Sequence, residues 1–232
     1  MPDFKDLLAR LKSHYGTPVF PIAKGPFELI LWENACYLLP DQRRQEVFES
    51  LRDQVGLTPA KILEAPQTVL LPLAKRGGMR PETRVFRWRE IARITLDQFD
   101  GSLDAVLKLP YKEAKKALKQ FPNIGDPAAE KILLYSGVTG ELPLESNGLR
   151  VLTRFGFGRE QKSYGATYRS VQEDITADLP KGAKALGQAH LLLREHGRTI
   201  CKGNDPDCPA CPVAGSCVFN LQGSSRKLSA RL

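Results

Sequence analysis

The stretch KEAKKALKQFPNIGDPAAEKILLY, residues 112–135, decides the fold. Lys112 to Gln120 reads as a basic helix, and Phe121-Pro122-Asn123-Ile124-Gly125 interrupts it. A second helix restarts at Asp126 and runs to Tyr135, with Asp126 as N-cap and Pro127 at the first helical position. The result is a helical hairpin. Working outward, the same grammar of short helices separated by Gly, Pro and Asp continues in both directions. Upstream, Pro26 to Leu39 is a mostly apolar segment long enough for a central buried helix, in which Glu33 and Asn34 stand out as polar interruptions. Further helices are expected at Asp41 to Val55, Thr58 to Ala65, around Ala74, at Pro81 to Phe99 and at Ser102 to Lys108. Downstream, a helix restarts after Pro143, with Leu149, Leu152 and Phe155 at helical spacing, and Ser163 to His196 supplies two or three more. No two-residue alternation is long enough for a sheet, so the fold class is all-α.

The 232 residues suffice for one substantial core or two small lobes. Lys and Arg total 34 against 26 for Asp and Glu, and the net charge of +8 favours a polyanionic partner. No apolar run approaches the roughly 18 to 20 residues that span a bilayer, and Met1 to Arg10 lacks a secretory signal. The chain is therefore expected in the cytoplasm, with no membrane partner.

Four of the five cysteines lie together. Cys201, Cys208, Cys211 and Cys217 are separated by six, two and five residues, and Pro209 and Pro212 stiffen the loop. A reducing compartment argues against a disulfide framework, so these residues read as metal ligands. Four thiolates on one tightly turned segment suit an iron–sulfur cubane, with structural zinc as the alternative. Cys36 stands alone in the apolar Pro26 to Leu39 segment and reads as a small buried hydrophobe.

This cysteine spacing resembles that of endonuclease III and its relative, the adenine-specific mismatch glycosylase, and the resemblance extends from about Pro26 to Cys217. It implies a 4Fe–4S cluster that is structural and redox-active and shapes a basic loop touching DNA. The hairpin turn is similar to that family's helix-hairpin-helix, in which Gly lets backbone approach a phosphate and amides at the next helix N-terminus act as donors. On that resemblance Asn123, Ile124 and Gly125 hold DNA without reading its sequence, and Lys112, Lys115, Lys116, Lys119 and Lys131 add salt-sensitive affinity. Gly77-Gly78-Met79 resembles the loop that wedges into the duplex, with Met79 as the apolar wedge; an ordinary turn leading into a helix is the alternative.

The catalytic positions depart from the family pattern. Where endonuclease III reads Gly-Arg-Lys-Thr-Ala, this chain reads Gly125-Asp126-Pro127-Ala128-Ala129, so proline stands in the place of the nucleophilic lysine. Base excision by water without strand cleavage is then expected, with a lyase reaction by Lys131, four residues on, as the alternative. Leu144-Glu145-Ser146-Asn147 fills the place of the family's catalytic aspartate, so Glu145 is the expected stabiliser of a cationic sugar or activator of water. Glu33 falls where the adenine glycosylase has its second carboxylate; an apolar helix would leave it a proton to give to the departing base. The Gln-Gln motif that follows in that enzyme is replaced by Tyr37-Leu38.

Together these readings imply two helical lobes with a DNA-binding cleft between them: a helical barrel over residues 26–143, with the helix-hairpin-helix at 112–136, and a cluster lobe from residues 1–25 and 144–223. Residues 224–232 form a flexible basic tail. The implied protein is a monomeric base-excision DNA glycosylase, associated with the nucleoid, acting on double-stranded DNA with a damaged or mismatched base. A catalytically inactive DNA-structure binder and a cluster-based redox protein are the competing readings.

Overall fold

A computed structural model describes residues 3–229, with side chains described to Gly223. Among the described residues there are helices and turns but no β-strand. The chain divides into two compact units: Pro21–Val138, and the segments flanking it up to Phe20 and from Thr139.

The flanking unit begins with α1 (Phe4–Tyr15), capped by Asp3, whose carboxylate accepts from the amides of Lys5 and Asp6 at 2.8 and 3.0 Å. The central unit is built on α2 (Gly25–Glu33), α3 (Asp41–Gln54), α4 (Pro59–Glu64), α5 (Gln67–Arg76), α6 (Pro81–Phe99), α7 (Tyr111–Leu118) and α8 (Asp126–Tyr135). Helix α2 buries Leu29, Ile30, Leu31 and Trp32 in succession, as a helix surrounded by protein must. Helices α3, α6 and α8 pack around it.

Three expectations are corrected here. Helix α2 stops at Glu33 and does not continue to Leu39. The Asn34 amide donates to the carbonyls of Ile30 (3.1 Å) and Pro122 (3.0 Å), satisfying one end of the helix and turning the chain aside. Ala35 and Cys36 remain buried, while Tyr37 and Leu38 project outward. Between Ser102 and Lys108 only a short 3-10 turn forms, at Val106–Lys108; the Ser102 hydroxyl accepts from the Asp104 amide and competes with helix formation. The cap of α8 is Gly125, with Asp126 as the first helical residue, because the Asp126 carboxylate is drawn to Lys119, just past the end of α7, and toward Lys115 within it.

After residue 139 come α9 (Ser146–Phe155), α10 (Tyr164–Ile175), α11 (Ala183–Thr199) and α12 (Val218–Ser229), with α9 packed on α11 and α1 also against α11. Of the tail expected over Ser224 to Leu232, residues 224–229 lie within α12 and 230–232 lie outside the described residues. Among the described residues no helix is long and apolar enough to cross a membrane.

Candidate active site

The hairpin turn closes on local hydrogen bonds, with the Ile124 amide donating to the Phe121 carbonyl at 3.2 Å. Asn123 takes the left-handed conformation (φ 63°) that asparagine tolerates better than most residues. Asn123 and Gly125 are exposed, but Ile124 is 5% exposed and belongs to the core. Gly125 has neither a positive φ nor any atom within 4 Å of where a Cβ would stand. No contact within the chain requires glycine there, which leaves room for something approaching from outside.

The expected lysine fringe is only partly available. Lys119 pairs with Asp126 through both carboxylate oxygens at 2.9 and 3.0 Å. Lys115 reaches the buried Glu130 at 2.7 Å and lies 3.8 Å from Asp126. Lys112 and Lys116 are exposed on α7.

The Gly77-Gly78-Met79 turn lies beside the loop that follows α2, and the Tyr37 amide donates to the Gly77 carbonyl at 3.1 Å. Buried Arg84 pins the turn from below, donating to the carbonyls of Ala74 (2.7 Å), Gly78 (3.3 Å) and Met79 (3.3 Å). Met79 and Leu38 are thereby left 65% and 80% exposed. Two large apolar side chains displayed on linked, pinned turns suit insertion into a base stack. Leu38 was not singled out in the sequence, where it lies within an apolar run; its positive φ of 55° is a purely structural signal. A Cβ on Gly77 would clash with the Ala35 carbonyl and stand 2.9 Å from the Arg84 Nε. Gly77→Ala is therefore expected to cost about 1 to 3 kcal/mol in a denaturant melt; an unchanged midpoint would contradict this packing.

Glu33 does not sit among apolar groups. Its Oε2 pairs with Lys131 Nζ at 2.7 Å and its Oε1 lies 3.9 Å from Arg44 Nη1, all three side chains being mostly buried. Where apolar surroundings were expected, the carboxylate faces two cations. The Lys131 amine thus reaches Glu33, 98 residues away in sequence.

Glu145 is the N-cap of α9. Its Oε1 accepts from the Gly148 amide at 3.1 Å and its Oε2 from the Asn147 Nδ2 at 2.8 Å. Asn147 Oδ1 in turn accepts from Arg150 Nη2 at 2.8 Å, and Arg150 also donates to the carbonyls of Gly197 (2.7 Å) and Cys201 (3.0 Å). A continuous network thus joins the carboxylate to the cysteine loop. Gly197 permits it, since a Cβ there would stand 2.6 Å from the Asn147 carbonyl oxygen. The sequence offered Asn147 only as part of a resemblance, and it offered no signal for Gly197 beyond its being glycine.

The four clustered cysteines are free thiols lining one pocket walled by Val151, Phe155 and Val213. Arg154 Nη1 lies 3.6 Å from the Cys201 sulfur and donates to the Lys202 carbonyl at 2.6 Å, while Nη2 donates to the Gly203 carbonyl at 2.7 Å. His196 Nε2 lies 3.6 Å from the Cys211 sulfur, and its Nδ1 meets the Tyr15 hydroxyl at 3.0 Å. Burial, with a small contribution from His14, holds His196 down at about 4, so this imidazole is neutral. Burial also pushes the Cys211 thiol up to about 11 and raises Cys217. Four inward thiols in such a pocket become thiolates only with a cationic centre among them. Among the described residues, no three His, Cys, Asp or Glu side chains are grouped to share a single metal ion. The four cysteines nevertheless line one pocket, and four thiols are the donor set that a thiolate-held metal group requires. Cys36 is buried in the other unit.

No protein-family model matches the chain. It is 26% identical over 176 residues to endonuclease III of Sulfolobus acidocaldarius, covering 75% of this chain and 73% of that protein. It is 22% identical over 221 residues to a thymine/uracil-DNA glycosylase of Pyrobaculum aerophilum, covering 93% and 91% of the two chains. In structure it resembles the protein of a non-covalent endonuclease III–DNA complex, with a TM-score of 0.74, 18% identity and coverage of 97% of this chain and 100% of the other. That likeness establishes the fold.

Proposed function

We propose that the chain is a base-excision DNA glycosylase of the endonuclease III type that hydrolyses an N-glycosidic bond without strand cleavage, a reading supported by its likeness to endonuclease III and to a thymine/uracil-DNA glycosylase. The observation that carries this reading is the fixed carboxylate of Glu145. Two donors orient it at the N-terminus of α9, and the Arg150 network anchors its neighbour Asn147. A preorganised anion so placed stabilises the positive charge that develops on the sugar as the base departs. The base must leave the duplex stack for its bond to be reached. Met79 and Leu38 are the groups suited to fill the gap, and the backbone of Asn123 to Gly125 is suited to hold the phosphodiester. Cys201, Cys208, Cys211 and Cys217 would hold a 4Fe–4S cluster, whose role when bound is to tie the loop that supports Arg150 and Arg154. Glu33, held as an ion pair, is assigned to binding Lys131 rather than to donating a proton.

The test is base release from duplexes carrying oxidised, deaminated, alkylated or mismatched bases. Release from at least one, with strand breaks appearing only after alkali, is the expected result. Release from none, with binding retained, would leave a DNA-structure binder. Because the Lys131 amine is engaged by Glu33, borohydride treatment on abasic duplex should trap no covalent adduct. An adduct that disappears in Lys131→Ala would establish a lyase and reverse the assignment.

A further inference from the structure

The hairpin carries an anion of its own. Asp126 follows the turn directly, and its side chain is 53% exposed. Lys119 and, more distantly, Lys115 hold its carboxyl below the usual carboxylate range, so it is charged at neutral pH. The bidentate contact with Lys119 joins the end of α7 to the start of α8 across the turn. Helix α8 begins with no side-chain cap, and Pro127 brings no amide to that end. Lys115, the other cation facing this end of the hairpin, is already paired with Glu130, which is fully buried. A phosphodiester arriving at the turn therefore meets a carboxylate, and the lysine best placed to neutralise it is already bound to that carboxylate.

We propose that Asp126 is a specificity-determining residue of the hairpin: by occupying Lys119 as a phosphate would, it weakens the grip on undamaged duplex, so that tight binding depends on contacts made only where a base is extruded. The inference rests on the DNA glycosylase reading given above. Asp126 and Lys119 then exchange partners when a phosphate binds, and the cost of that exchange is subtracted from every encounter with ordinary DNA. The contacts of an extruded nucleotide offset it only at a lesion.

Neutralising the carboxylate tests this directly. Asp126→Asn keeps the side chain's size and should bind an undamaged duplex about tenfold more tightly at low salt, with the dependence of log K on log salt steeper by about one. The ratio of affinities for an abasic-analogue duplex over an undamaged one should fall. Adding Lys119→Ala to the variant should remove the gain. Asp53→Asn, an equal charge change on α3, controls for net charge. Binding by Asp126→Asn no tighter than wild type, or no tighter than Asp53→Asn, overturns the proposal. So does a lowered melting temperature without tighter binding, the result expected of a structural staple alone. If wild type ignores duplex DNA at every salt concentration, the glycosylase reading fails first and the inference falls with it.

Discussion

Glu145→Gln should lower single-turnover base release by about 10²- to 10⁴-fold while leaving duplex affinity and melting temperature close to those of the parent. Glutamine keeps an oxygen for the Gly148 amide, so the cap survives, while the charge and the acceptor for the Asn147 side-chain amide are lost. That separation makes the experiment informative. A pure helix cap would tolerate the change in catalysis, whereas an electrostatic stabiliser of a cationic sugar would not. Glu145→Asp keeps the charge but withdraws it by one carbon–carbon bond, so it should retain far more activity than the glutamine variant. Equal turnover by Glu145→Gln and wild type would remove Glu145 from the mechanism. On this reading Asn147 and Arg150 act by positioning, because Asn147 touches the carboxylate and Arg150 touches Asn147.

The second large effect is expected from the cysteine loop. Cys211→Ser should abolish visible iron–sulfur absorption and reduce bound iron from about four atoms per chain to near zero. The consequence should extend beyond the loop, because Arg150 and Arg154 donate to four carbonyls between Gly197 and Gly203. Loosening that segment releases both arginines and, through Asn147, the orientation of Glu145. A loss of about 3 kcal/mol or more in stability, accompanied by loss of base release, follows from uncovering the apolar pocket and breaking the network together. Metal analysis of the parent protein discriminates the alternatives: zinc without iron, or no metal at all after anaerobic preparation, would refute the cluster. A Cys211→Ser variant with full iron content would show that this residue is not a ligand.

Much of the fold was legible because it depends on local rules. The hairpin at residues 112–135 was read from a basic run, an interruption and a proline-led restart, and α8 occupies the expected residues, Asp126–Tyr135. Where local reading failed, a tertiary contact had intervened. Helix α2 ends early because Asn34 finds the Pro122 carbonyl, 88 residues on. Asp126 is not a cap because Lys119 and Lys115 claim it. Glu33 reads as a carboxylate in an apolar helix until Lys131 and Arg44 are seen beside it. The wedge-like display of Leu38 was equally hidden, since backbone conformation at one exposed residue leaves no periodic trace.

By itself the sequence determined the all-α class, the place of the helical hairpin, and the gathering of four cysteines in one short loop. Each of these is set by spacing along the chain, where helical periodicity, turn residues and ligand intervals act over a few residues. Only the tertiary structure decided which charges neutralise which, that the four thiols share a pocket, and that Arg150 carries the loop's support to the neighbour of Glu145. Those outcomes depend on which helices pack together, and side chains distant in sequence acquire a partner, and with it a protonation state and an orientation, only when packing has brought them within hydrogen-bond reach.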